Sequence, residues 1–244
     1  MGQVTGQAMG SIAPPVWPAA LVHLLTAAGA VCSLLALRAV WVGAWEAVFA
    51  WLGVGLLIDG IDGTFARMAK VTARLPRFSG ERLDLVVDYL NYVFVPAFAM
   101  LQAGFLGGRT GVPLCAGILL SSLYHFADTQ SKGADHCFIG FPAIWNIVAF
   151  YVFAARMSSA LASLLTLTGI VLAFVPMRWA HPLRTGRLLP LTLLAVLVWS
   201  LAAAGTLLEG FPARPPLLLI LGLAAGYGVG LTLFESALAL RRTS

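Results

Sequence analysis

Long apolar runs recur along the whole chain of 244 residues, separated by short segments rich in Gly, Pro, Lys and Arg. Most runs approach the ~20 residues that an α-helix needs to cross ~30 Å of hydrocarbon. The pattern predicts eight spans: Val16 to Leu37, Val42 to Phe65, Leu83 to Leu106, Val112 to Ala127, Phe138 to Ala155, Ala160 to Val175, Leu188 to Leu208 and Pro216 to Leu240. We therefore expect an all-α, polytopic membrane helix bundle, with residues 1–244 forming a single domain.

Composition excludes several classes of protein. Hydrophobic residues make up 60% of the chain and charged residues 10%, whereas about a quarter of the residues in a soluble domain are charged. Cys32, Cys115 and Cys137 show no CxxC spacing, so neither a zinc site nor a disulfide framework is indicated. The net charge of +5 comes with no basic run interleaved with aromatic residues, so we expect no nucleic-acid partner.

The basic residues predict how the bundle is oriented in the membrane. Short loops that carry Lys and Arg stay on the cytoplasmic side. Alternate loops and the C-terminal tail hold eleven of the fifteen basic residues, namely Arg67, Lys70, Arg74, Arg77, Arg82, Lys132, Arg178, Arg184, Arg187, Arg241 and Arg242. The other loops hold Arg38, Arg109, Arg156 and Arg214. Both termini are therefore expected in the cytoplasm.

Four of the ten acidic residues lie close to the cytoplasmic ends of the second and third predicted helices. They are Asp59, Asp62, Asp84 and Asp88, and a carboxylate at membrane depth is costly and normally functional. Residues three or four apart on a helix lie about 60° or about 40° apart around its axis, so each pair shares one helix face. Two such faces would form a cup of four carboxylates.

Carboxylates packed this closely repel one another, and a divalent cation is the natural way to neutralise them. Ligand sets made only of oxygen favour hard ions such as Mg²⁺ or Mn²⁺. Small residues surround Asp62, at Gly60 and Gly63, where a bulky substrate could approach the helix backbone. Arg67 follows, with a planar guanidinium suited to phosphate, although a membrane anchor is its alternative role.

The complete motif resembles the signature of the CDP-alcohol phosphotransferase family. Its eight fixed positions, with matching spacing, are Asp59, Asp62, Gly63, Ala66, Arg67, Gly80, Asp84 and Asp88. The resemblance implies two divalent ions, Mg²⁺ or Mn²⁺, held by the four aspartates against the diphosphate of a CDP-linked substrate. We further expect Gly63, Ala66, Arg67 and Gly80 to line the side that binds the nucleotide and phosphates. Asp88, the last carboxylate, is our candidate for the general base.

Other segments resemble the branch of this family that uses choline as the acceptor alcohol. They include Leu83 to Pro96, Phe126 to Asp128, Ala134 to His136 and Gly140 to Asn146. The implied reaction converts CDP-diacylglycerol and choline into phosphatidylcholine and CMP, with membrane lipid as the surrounding partner. The implied location is the bacterial inner membrane, with the active site facing the cytoplasm.

Choline is a quaternary ammonium, and such cations bind over aromatic faces with ~0.5 to 2 kcal/mol per contact. The candidate choline-binding residues are Tyr92, Tyr124 and Trp145, together with the polar Asp128, Asp135 and Asn146 of the branch pattern. Each ring has an alternative role in the aromatic belt of the membrane interface.

Two other functions stay open on the sequence alone. A relative of the same family could use serine, inositol phosphate or glycerol phosphate as acceptor, although phosphorylated acceptors would call for basic residues inside the membrane that the chain lacks. A cation transporter could use the acids as an ion path. For the assembly of this protein we consider a homodimer.

Overall fold

The computed structural model describes residues 15–131, 137–179 and 188–243. Within them the chain forms helices α1 (Trp17–Trp41), α2 (Trp45–Met68), α3 (Val71–Arg74), α4 (Gly80–Asp88), α5 (Val95–Gln102), α6 (Gly111–Ala127), α7 (Trp145–Ala154), α8 (Ser159–Leu172), α9 (Leu189–Glu209) and α10 (Pro215–Thr243). Two short strands, β1 (Phe138–Ile139) and β2 (Arg178–Trp179), pair in antiparallel fashion. The predicted all-α bundle is confirmed.

Six helical segments of the described chain are long and apolar enough to cross a membrane: Trp17–Trp41, Trp45–Met68, Gly80–Gln102, Gly108–Ala127, Leu189–Glu209 and Pro215–Leu238. Helices α7 and α8 are also apolar but have only 10 and 14 residues. At ~1.5 Å per residue they reach about 15 and about 21 Å, short of the ~30 Å hydrocarbon layer. The chain is thus a multi-pass membrane protein, and its described part holds six long apolar helices and two shorter ones.

The predicted fifth span is wrong in its first half, because the helix begins at Trp145 and not at Phe138. Gly140 has φ +82° and Ala143 has φ +56°, which a right-handed helix does not allow, and Pro142 lies between them. This extended segment is buried inside the protein, where the Phe141 N–H donates to the Leu172 carbonyl oxygen at 3.0 Å. Such burial in protein is what makes non-helical backbone tolerable at membrane depth.

The third span is a continuous helix with a change of pitch in its middle. It begins after Ser79, whose hydroxyl accepts a hydrogen bond from the Arg82 N–H at 3.2 Å. Between α4 and α5, residues Tyr89–Phe94 form a π-helical segment. Pro96 lacks an N–H and cannot form the regular bond to the carbonyl of residue 92, which favours irregular backbone here. Such π segments frequently occur at functional sites.

Alternate connections meet at the same end of the bundle. The Ala213 N–H, between α9 and α10, donates to the Ala154 carbonyl oxygen at the end of α7, at 2.9 Å. The Phe211 N–H, in the same connection, donates to the Glu46 carboxylate at the start of α2, at 3.0 Å. These contacts place the connections after α1, α7 and α9 together, as the predicted alternation of helices requires.

An aromatic cluster fills the core near this end. Phe49 of α2 packs edge-on against Phe150 and Phe153 of α7, with ring centroids 5.6 and 5.1 Å apart. Phe105 packs against Phe153 at 4.7 Å, and Phe211 packs against Phe49 at 5.3 Å. Edge-to-face pairs at such distances add to the gain from packing alone. The cluster joins α2, α7 and two connections.

Toward the other end, a polar contact holds the π-helical segment against α1 and α2. Asn91 is only 2% exposed. Its Nδ2 donates to the Gly29 carbonyl oxygen at 3.1 Å, and its Oδ1 accepts from the Ser33 hydroxyl at 2.9 Å. A Cβ at Gly55 of α2 would lie 2.9 Å from this Oδ1. The close packing of α1, α2 and the third span thus depends on the hydrogen-bonded amide of Asn91 and on the absence of a side chain at Gly55.

Gly53 and Gly55 provide a matched test of this packing. A Cβ at Gly55 would crowd Asn91, whereas a Cβ at Gly53 has no atom within 4 Å. Gly55→Ala should therefore lower the free energy of unfolding by about 1 to 3 kcal/mol relative to Gly53→Ala, since over-packing costs about that much. Both changes gain the same helix propensity, about 1 kcal/mol. Thermal unfolding of the two variants in the same detergent measures the difference, and equal stabilities would contradict the proposed packing.

Candidate active site

Three of the four predicted aspartates come together between two helices. Asp59 lies on α2, while Asp84 and Asp88 lie one turn apart on α4. One carboxylate oxygen from each lies within 4.8 Å of the others, and all three residues are partly buried. Helix α1 packs along both α2 and α4 and so brings these faces together. We call these three residues the acidic cluster.

Asp62 lies beside the acidic cluster without belonging to it. It is 6% exposed, and its Oδ2 accepts a hydrogen bond from the Thr26 hydroxyl of α1 at 2.6 Å. Asp59 and Asp62 were predicted to share one face of α2, but they make different contacts. Asp62 bonds to α1, whereas Asp59 faces α4. A role for Asp62 as a metal ligand stays a prediction.

Tyr92 reaches the acidic cluster from the π-helical segment, one turn after Asp88. Its hydroxyl donates to the Asp59 Oδ2 at 2.7 Å. The sequence placed Tyr92 near the acids as an aromatic ring for choline, and the structure adds a direct bond between its hydroxyl and a carboxylate. The ring is partly buried.

The acidic cluster fits a hard divalent cation. All its ligand atoms are carboxylate oxygens, the type that Mg²⁺ and Mn²⁺ prefer. Oxygens bound to one ion at ~2.1 Å lie roughly 3 to 4.2 Å apart, and the three carboxylates each have an oxygen within 4.8 Å of the others. Small side-chain adjustments would bring all three into one coordination sphere.

The residues expected on the nucleotide side lie around the end of α2 and the start of α4. Gly63 and Ala66 are partly exposed, and Arg67 is exposed with its Nη2 donating to the Thr64 hydroxyl at 3.0 Å. Gly80 begins α4, and a Cβ there would lie 3.3 Å from the imidazole of His23. Contacts of these four positions with substrate stay predictions.

The residues expected to bind choline are in different environments. Tyr124 of α6 is 69% exposed, with its ring 6.4 Å from that of Phe174. Asp128, directly after α6, is exposed and accepts from the Gln130 N–H at 2.8 Å. Asp135 lies outside the described residues. An exposed ring at a helix end matches the aromatic belt as well as it matches a choline contact.

Trp145 and Asn146 begin α7 inside the core. Trp145 is 1% exposed, and its Nε1 donates to the Ser122 hydroxyl of α6 at 2.9 Å. A Cβ at Gly169 of α8 would lie 2.6 Å from its ring, so Trp145 fills the space between α6 and α8. Asn146 is 6% exposed, and its Oδ1 has no hydrogen-bond partner among the described residues. The observed contacts of Trp145 are those of a packing residue, and its contact with choline stays a prediction.

Sequence reasoning missed Thr26, which contacts the site directly. A threonine in an apolar helix usually bonds a carbonyl one turn earlier, and the Thr26 hydroxyl also lies 3.3 Å from the Val22 carbonyl oxygen. Nothing in the sequence around Thr26 therefore indicates that its hydroxyl would contact an aspartate of another helix. Only the packing of α1 along α2 shows that it reaches Asp62.

Comparison with known proteins adds evidence that is independent of the geometry. No family model matches the chain. The phosphatidylcholine synthase of Pseudomonas aeruginosa is 42% identical over 219 residues, covering 88% of this chain and 91% of the relative. That of Rhizobium meliloti is 40% identical over 194 residues, 80% of each chain. That of Borreliella burgdorferi is 34% identical over 184 residues, 73% of this chain and 78% of the relative. With such identity over most of its length, the chain belongs to the phosphatidylcholine synthase family.

Proposed function

We propose that this protein transfers the phosphatidyl group of CDP-diacylglycerol to choline, which yields phosphatidylcholine and CMP. The observation that carries the proposal is the acidic cluster of Asp59, Asp84 and Asp88 at one end of an apolar helix bundle. Clustered carboxylates at this depth suit a metal ion bound to a diphosphate. The relatives are named phosphatidylcholine synthase, and this name supports choline as the acceptor.

The acidic cluster faces the cytoplasm of a bacterial inner membrane in this proposal. Support comes from three exposed basic residues at the end of α2 and in its connection to α4, which are Arg67, Lys70 and Arg77. Loops that carry such charges stay on the cytoplasmic side, where both CMP and choline are soluble. The acyl chains of the substrate would remain in the surrounding lipid. Assembly as a homodimer stays a prediction, tested by the mass of the purified protein in detergent.

Asp59, Asp84 and Asp88 would hold the divalent ion, Mg²⁺ or Mn²⁺, and Asp62 would complete the set for a second one. Bound there, such ions would neutralise the diphosphate and stabilise the charge that develops on the leaving group. Arg67, near the end of α2, would supply a guanidinium to the phosphates. Gly63 has no side chain, so the α2 backbone is accessible to substrate beside the Arg67 guanidinium.

The transfer itself replaces a phosphoanhydride bond of the diphosphate with a phosphate ester bond to choline. The choline hydroxyl oxygen attacks the phosphorus that carries diacylglycerol, and the bond from this phosphorus to the oxygen shared with CMP breaks. The electron pair of that bond leaves with CMP, and the choline proton moves to the Asp88 carboxylate. Asp88 is the last acid of the acidic cluster along the chain and lies one turn before Tyr92, so its carboxylate can lie toward the acceptor.

Removal of the metal ligands should abolish transfer. Asp59→Asn and Asp84→Asn should each lower kcat by at least about 10²-fold, since electrostatic stabilisation of a transition state is typically that large. Treatment with EDTA should have the same effect, reversed by Mn²⁺ or Mg²⁺. CMP release in detergent micelles measures both. Glu209→Gln is the matched control, because this exposed acid pairs with Arg214 at 3.2 Å in a different part of the bundle. Full turnover in EDTA would disprove metal assistance.

One variant can distinguish whether Asp88 acts mainly as the general base or mainly as a metal ligand. If Asp88 mainly accepts the choline proton, Asp88→Asn should lower kcat by about 10² to 10⁴-fold. Affinity for CDP-diacylglycerol, measured without choline, should change little because the other aspartates still bind the ion. A joint loss of nucleotide affinity and metal affinity would instead make Asp88 chiefly a metal ligand.

Choline recognition can be tested with paired variants of one ring. Tyr92→Leu removes the aromatic face and should raise the KM for choline about 2- to 30-fold, as the loss of a contact of ~0.5 to 2 kcal/mol predicts. Tyr92→Phe keeps the face and should leave that KM nearly unchanged. The same assays on Tyr124→Leu and Trp145→Leu test the other two rings, with the KM for CDP-diacylglycerol as the reference. An equal rise in both Tyr92 variants would exclude a contribution from its ring face.

The acceptor is tested directly by incubating the protein with CDP-diacylglycerol and labelled choline, serine or glycerol phosphate. We expect labelled lipid from choline alone, together with one CMP per lipid formed. Label from serine or glycerol phosphate in place of choline would contradict the proposed acceptor and leave the phosphatidyl transfer in place.

A further inference from the structure

Each aspartate of α2 accepts a short hydrogen bond from a different part of the bundle. The Thr26 hydroxyl of α1 lies 2.6 Å from the Asp62 Oδ2, and the Tyr92 hydroxyl lies 2.7 Å from the Asp59 Oδ2. A carboxylate only accepts, so both hydroxyls donate. The lengths are those of strong O–H bonds to a carboxylate. The two acids of α2 are thus each held by a hydroxyl from a different helix.

The bond at Asp62 is well shielded from water. Thr26 is 7% exposed and Asp62 is 6% exposed. The Thr26 hydroxyl has one proton, and the Val22 carbonyl oxygen at 3.3 Å is the more distant acceptor. The proton therefore belongs to the shorter contact with Asp62, where burial strengthens it.

A carboxylate has two oxygens, and a hydroxyl bonded to one of them fixes the direction in which the other points. Partners of this kind hold a metal-binding side chain in one orientation, and their loss typically weakens metal binding by about 10 to 100-fold. We propose that Thr26 and Tyr92 are positioning residues, whose hydroxyls hold Asp62 and Asp59 through Oδ2 so that each presents its Oδ1 to a divalent ion. The inference rests on the metal site of the proposed function.

The test measures binding of Mn²⁺ to the full chain in detergent, by electron paramagnetic resonance of the free ion and without substrate. Thr26→Val keeps the side-chain shape and Tyr92→Phe keeps the ring, and each should raise the Kd for Mn²⁺ by about 10 to 100-fold. Thr26→Ser restores a hydroxyl and should return the Kd close to that of the unaltered protein. Tyr92→Phe removes a single oxygen atom, so it tests the inference even where Thr26→Val fails to fold.

Two control variants lose equivalent hydroxyls elsewhere in the bundle. The Thr206 hydroxyl is buried and donates to the Ala202 carbonyl oxygen at 2.9 Å, and the Tyr151 hydroxyl donates to the Leu221 carbonyl oxygen at 2.7 Å. Thr206→Val and Tyr151→Phe should leave the Kd for Mn²⁺ unchanged. A rise equal to that of the site variants would show an effect of general packing and overturn the inference.

The remaining outcomes separate the two proposals. If the unaltered protein binds Mn²⁺ and both Thr26→Val and Tyr92→Phe bind it equally well, the positioning role is wrong and the metal site stands. If the unaltered protein does not bind Mn²⁺, the metal site of the proposed function fails, and the positioning role fails with it. If Thr26→Ser stays as weak as Thr26→Val, the hydroxyl of Thr26 is not what holds Asp62.

Discussion

Carboxylates placed at the end of a membrane helix bundle are the constraint on which the rest of this structure depends. An ionised side chain at membrane depth is costly unless polar partners surround it. Asp59 and Asp62 receive hydroxyl donors from Tyr92 and Thr26, and Asp59 shares the acidic cluster with Asp84 and Asp88. The arrangement needs α1, α2 and the third span at close range, because each hydroxyl donor lies on a different helix from the aspartate that it bonds.

Close packing of these three helices in turn depends on small residues. A Cβ at Gly29 would lie 2.5 Å from Val87, and one at Gly55 would lie 2.9 Å from Asn91. Asn91 bonds to α1 from a position one residue before Tyr92 and three after Asp88. The amide therefore anchors the stretch of helix that carries the proposed base and the donor to Asp59. The residue that packs this helix against α1 and the residues proposed for the chemistry therefore lie within the same two helical turns.

The two ends of the bundle are built differently. Near one end, phenylalanine rings from α2, α7 and two connections form a well-packed core. Near the other, polar side chains and a buried non-helical segment replace it. Gly140 and Ala143 bend the chain before α7, and Trp145 closes the space between α6 and α8. A rigid core at one end supports a polar site at the other, which suits an enzyme whose substrates differ greatly in polarity.

Hydropathy and helical spacing depend only on the order of residues along the chain, so the amino-acid sequence was enough to predict a membrane helix bundle, the positions of its long helices and the grouping of the acids. Asp84 and Asp88 share a face for this reason, and their meeting with Asp59 followed from the motif. The bond between Asp62 and Thr26, the enclosure of Trp145 and the non-helical start of the predicted fifth span could be seen only in the folded protein. Partners on different helices have no fixed spacing in sequence, and an apolar run reads the same whether its backbone is helical or extended. Hydrogen bonds between helices arise from packing, so they become visible only when the bundle is assembled.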